Sequence, residues 1–146
     1  MSNYSGKTPW HLWVVAVFFL LLNAVGLYDY IMILELNEAY FNAQNWGDAH
    51  LAYFTDYPLL PRIFWTTGIV SGVVAPILLL LRIRWTVWLA FISATTRACL
   101  AVITFGFMNR WDVFGPWLSL FDISILLMTV GFYLYCRRMA ARGVLR

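Results

Sequence analysis

Residues 85–108 read WTVWLAFISATTRACLAVITFGFM. The stretch is apolar over the ~20 residues that a helix needs to cross a bilayer. It carries a single charge, Arg97, near its middle. A charge at that depth costs at least about 2–3 kcal/mol, so it is kept for a partner or for a purpose. Three further runs share this character, at residues 11–34, 63–81 and 117–136. The chain therefore reads as an all-α membrane protein, a four-transmembrane-helix bundle forming one integral membrane domain over residues 1–146.

Composition supports that reading. Hydrophobic residues make up 62% and charged residues 12% of the chain, about half the ~25% charged share of a soluble domain. Mean hydropathy is +0.74. The first run has features of a secretory signal, with Lys7 before it and Ala24-Val25-Gly26 as a small-residue site. It is longer than a signal core, however, and continues through Ile31 to Leu34, so it is expected to stay as a span.

Charge sets the expected orientation. Four spans put both termini on one side, together with Lys7, Arg82, Arg84, Arg137, Arg138, Arg142 and Arg146. Only Arg62 and Arg110 fall opposite. Short basic loops stay in the cytoplasm, so both termini are expected there, in a multi-pass protein of the bacterial inner membrane. The net charge of +3 then reflects anchoring to anionic lipid. Basic residues flank spans and form no groove, which argues against nucleic acid as a partner.

The loops differ in kind. Arg82-Ile83-Arg84 is a tight turn, so the second and third spans must be antiparallel neighbours. Gly115-Pro116 is a natural helix start for the fourth span. The first outer loop is long and rich in aromatics, among them Tyr40, Trp46, Tyr53 and Tyr57. Asp48 reads as the N-cap of a short helix over residues 49–54, which is expected to lie at the membrane–water interface as an anchor or a lid.

Depth along the spans suggests partners for Arg97. Helix rise places Asp122 about two turns inside the fourth span and Asp29 about one turn inside the first. An Arg97–Asp122 pair is expected between antiparallel neighbours, with Asp29 as the alternative partner. Such a pair either fixes helix register or serves a polar ligand. In the second span Gly68 and Gly72 make a small-xxx-small step for close helix packing, and Pro76 removes a helix hydrogen bond and should bend the chain.

Catalytic and metal-binding equipment is sparse. His11 and His50 fall at opposite membrane faces and cannot share a zinc or a haem. Cys99 and Cys136 lie at depths too different for a disulfide. No phosphate-binding glycine motif or Ser–His arrangement is present. The chain is not expected to be an enzyme, nor to hold a metal or other cofactor.

The segments Trp10-His11-Leu12-Trp13-Val14-Val15, Asn23-Ala24-Val25-Gly26-Leu27-Tyr28-Asp29-Tyr30 and Asn37-Glu38-Ala39-Tyr40 resemble a family of small four-span bacterial inner-membrane proteins often named "sugar transporter". Tyr53-Phe54, Pro58, Phe64-Trp65, the run from Leu78 to Arg82 and the ending Ala141-Arg142-Gly143-Val144-Leu145-Arg146 extend the likeness over nearly the whole chain. The resemblance marks Asn23, Asp29, Tyr30, Asn37, Glu38 and Tyr40 as an outer-face site for a small polar ligand. Physically, Asn23 and Tyr30 share one helix stripe, with Gly26 leaving space beside it. The same residues also suit tying the outer loop to the helix ends.

Two functional classes follow, and the sequence favours the first, with the second as the alternative. One is an accessory or assembly subunit packing against other membrane proteins, favoured by small size, many aromatics and the lack of catalytic groups. The other is a small-solute carrier of sugar type. Four helices barely enclose a cavity, so such a carrier is expected to act as an oligomer.

Overall fold

The computed structural model describes residues 8–55 and 57–145, so Lys7, Asp56 and Arg146 lie outside the described residues. Six helices follow one another: α1 (Trp10–Leu34), α2 (Glu38–Ala43), α3 (Asp48–Phe54), α4 (Leu59–Leu80), α5 (Trp85–Phe107) and α6 (Arg110–Ala141). α1, α4, α5 and α6 are long and apolar enough to cross a membrane. The protein is an all-α, multi-pass membrane protein whose outward-facing apolar surface is covered by lipid. Trp10 and Trp85 are exposed at one end of the bundle and Phe107 and Trp117 at the other, the positions of interfacial aromatic belts.

The four long helices stand in the order α1, α4, α5, α6, each packed against the next. α4 is the central element. Pro58 caps it and Pro61 sits in its first turn, where a missing N–H costs nothing, so the helix starts before the apolar run does. Its face of Gly68, Ser71, Gly72, Ala75 and Pro76 is buried. Pro76 withholds the usual donor from the Gly72 carbonyl, while the Ala75 carbonyl accepts from Thr86 Oγ1 (2.6 Å).

At the end carrying the termini, α1 and α6 meet. His11 Nδ1 and Tyr135 Oη hydrogen-bond, and Phe19 and Phe132 pack with ring centroids 4.6 Å apart. Leu12, Ala16, Leu79, Ala90, Cys136 and Met139 complete this core. The chain then turns back on itself through Gly143 at φ +77°. Val144 N–H donates to Met139 O and Gly143 N–H to Ala140 O, both at 3.1 Å, a Schellman closure. It buries Val144 and Leu145 in the same core. Cys99 and Cys136 are free thiols.

At the other end, α2 and α3 form a cap. The expected helix over residues 49–54 is present, but its N-cap is Gly47 and Asp48 opens the helix. There the Asp48 carboxylate faces the positive end of the helix dipole. The cap's interior is Ile33, Phe41, Phe54, Tyr57 and Phe114.

His50 holds the cap together in two ways. Its Nδ1 accepts from Gly47 N–H (3.2 Å), and its ring stacks on Trp46 with 8° between planes. Partial burial lowers its pKa below 6.5. The undocked cap therefore takes up a proton that the docked cap resists, so docking is complete above about pH 6.5 and weakens on acidification. Between about pH 8 and pH 5 the thermal midpoint of the wild type should fall more than that of His50→Gln. Parallel pH profiles would show that His50 does not govern the cap.

Candidate functional site

Arg97 sits on α5 about 15–18 Å of helix rise from either end. Its neighbours come from two other helices. Gly68 and Gly72 leave a trough on α4, and the arginine lies across it, since a Cβ on Gly68 would stand 3.3 Å from Arg97 Cγ and one on Gly72 3.0 Å from Arg97 Nη2. Through that trough Nη2 donates to Asn23 Oδ1 of α1 at 2.7 Å, and Nε to Ser93 Oγ at 3.3 Å. Asn23 is oriented by its own Nδ2, which donates to Phe19 O (2.7 Å). The glycine step thus makes room for a polar crossing of three helices as well as for close packing.

The expected Arg97–Asp122 pair does not form. Asp122 is paired with Arg110, whose guanidinium also lies over the Phe114 ring, 4.5 Å from its centroid. The cause is Gly115, the one non-helical residue inside α6 (φ +80°, ψ 174°). It folds the turn from Arg110 to Phe114 back over the rest of the helix. Asp29, the alternative partner, instead accepts a hydrogen bond from Tyr40 Oη. Among the described residues no carboxylate pairs with Arg97.

These groups share one cavity of about 600 Å³. Above the Phe19–Phe132 contact α1 and α6 line its two sides, α4 and α5 its back, and the cap its top. Arg97 and Asn23 lie deep in it. Asp29, Tyr40, Arg110 and Asp122 lie towards the cap, and Leu22, Leu100 and Ile125 supply apolar wall between. Burial and the Asp29 carboxylate raise the Tyr40 pKa, so its hydroxyl stays a donor.

Three of the six residues marked by the resemblance reach this cavity: Asn23, Asp29 and Tyr40. The other three serve the scaffold. Tyr30 Oη hydrogen-bonds Thr66 Oγ1 of α4. Asn37 caps α2 by accepting from Tyr40 N–H (2.9 Å), and Glu38 stands in the first turn of that helix. The sequence reading missed Arg110, Trp46, Tyr57 and Trp65 as lining residues. For the tyrosine and tryptophans the available signal was the aromatic density before α4 and in its first two turns; for Arg110 it was the Gly115 break.

The fold and cavity define a helical integral membrane protein with a largely apolar, partly aromatic chamber in its span region, into which a few charged side chains are set. Comparison with protein-family models, with curated proteins and with solved structures found no match.

Proposed function

We propose that the protein is a small-solute binding membrane protein of carrier type, with the cavity between α1 and α6 as its binding site. The observation that carries this reading is the cavity itself: about 600 Å³ is the size of a small-molecule site, and charged groups from α1, α5 and α6 converge on it. The accessory-subunit reading draws on small size, the lack of catalytic groups and the many aromatics. Much of that aromatic surface is used internally, in the contacts of Phe41, Trp46, Phe54 and Tyr57 within the cap and along the cavity. The reading further takes the end with Arg82, Arg84, Arg137 and Arg138 as the cytoplasmic face of a bacterial inner membrane, with the cap outside.

Water access tests the reading. Ala101 lines the cavity, whereas Val102 faces lipid and is 65% exposed. In a Cys99→Ala background, a charged aqueous methanethiosulfonate should label Ala101→Cys and leave Val102→Cys unmodified. Equal inertness of both positions in the reconstituted protein would remove the solute-site reading. Purification only as a fixed part of a larger membrane complex would restore the accessory one.

A further inference from the structure

Among the described residues four charged side chains line the cavity, and they are not equivalent. Arg110 and Asp122 neutralise each other. Arg97 is hydrogen-bonded only to neutral groups, Asn23 and Ser93. Asp29 is hydrogen-bonded only to the neutral Tyr40 hydroxyl. Among the described residues the chamber thus keeps one uncompensated cation at its deep end and one uncompensated anion near the cap. Leaving a charge without a counter-ion in a low-dielectric span is costly, and a ligand supplying both missing charges removes both costs at once.

We infer that the ligand is a small zwitterion, with its anionic group on Arg97 and its ammonium group at Asp29. This rests on the solute-site reading and narrows it to a ligand class. The aromatic lining supports the assignment of ends. Tyr40, Trp46, Tyr57 and Trp65 gather at the cap end with Asp29, and aromatic faces beside a carboxylate suit an ammonium ion. Aromatics of this set are absent around Arg97, whose guanidinium offers the forked donors that match a carboxylate or phosphate.

Length limits the ligand as well. Asn23, which marks the Arg97 end, and Asp29 are separated by about 9 Å of rise on α1. A contact of about 3 Å at each end leaves a charge separation of a few ångströms. That suits an amino acid or a phosphoethanolamine-type headgroup. A neutral sugar supplies neither charge.

The test uses wild-type protein first. Ammonium-carboxylates of increasing chain length, from glycine to 6-aminohexanoate, are titrated against tryptophan fluorescence and against protection of Ala101→Cys from aqueous labelling. Butyrate, butylamine and glucose are the single-charge and uncharged controls. At least one zwitterion should bind about tenfold or more tighter than every control, the loss of one ion pair. Asp29→Asn should abolish the preference over butyrate, and Arg97→Gln the preference over butylamine. Nanodiscs of phosphatidylethanolamine against phosphatidylglycerol separate the two sources: protection by the former alone identifies a lipid headgroup, and protection by soluble zwitterions identifies a free solute. A control that binds as tightly as the best zwitterion overturns the inference, as does absence of protection by every zwitterion and by phosphatidylethanolamine. Labelling of Ala101→Cys without any ligand is read independently, so a failed ligand class is distinguished from a failed cavity.

Discussion

Gly72→Ala is expected to destabilise the bundle by about 2–4 kcal/mol, the sum of overpacking and a strained or lost hydrogen bond to a charged group. A methyl at this position would meet Arg97 Nη2 at 3.0 Å and Asn23 Oδ1 more closely still. Both atoms are ends of flexible side chains, so they can yield only by giving up the hydrogen bond between them. Asn23 is held by the Phe19 carbonyl, and Arg97 has Ser93 as its other hydrogen-bond partner. The methyl therefore wedges between donor and acceptor of the hydrogen bond that joins α1 to α5 across α4. Gly26→Ala is the control, because the nearest side-chain atom there is Ile69 Cδ1 at 3.9 Å, an ordinary contact. Unfolding by SDS titration in bicelles should show a lower midpoint for Gly72→Ala and almost no change for Gly26→Ala. Asn23→Leu should add little on top of Gly72→Ala, since both remove the same bond. Additive losses would mean that the crossing does not act as a unit.

How much of this was legible in the sequence depends on the range of the interaction. The spans were readable because hydropathy is local, and their boundaries differ mainly where polar residues continue a helix, as at Arg110–Phe114 and after Cys136. Arg97 was found for the same reason, as a charge in an apolar run. Its partner was not, because depth arithmetic treats each helix as a straight rod. On a straight α6, Arg110 and Asp122, separated by twelve positions, would stand about 18 Å apart, and Asp122 would be free for Arg97. Asn23 was singled out through the family resemblance, and only the three-helix crossing explains what it does. Asn37 is of a residue type that caps helices, and capping α2 is what it does. The cavity needed the cap's placement over α6, and aromatic contacts between segments distant in sequence cannot be read from spacing.

Gly115 decides that geometry, and Gly115→Ala is expected to cost about 1–3 kcal/mol, the strain of an L side chain in a region that glycine alone adopts freely. Its φ of +80° and ψ of 174° are the relevant quantities. A Cβ there would touch nothing within 4 Å, so packing contributes no part of the cost and the effect is one of backbone conformation alone. The consequence reaches further than stability. If the chain relaxes the strain by straightening, the turn from Arg110 to Phe114 swings away, Arg110 leaves Asp122, and Phe114 leaves the cap it shares with Trp46 and Phe54. Asp122 then becomes an additional uncompensated anion in the chamber. A double-mutant cycle separates strain from pairing: Asp122→Asn should destabilise the wild type and have little effect in the Gly115→Ala background. Equal effects of Asp122→Asn in both backgrounds would show that the kink does not create the ion pair. The cycle also bears on ligand choice, because freeing Asp122 should strengthen binding of butylamine relative to butyrate even with Arg97 and Asp29 intact.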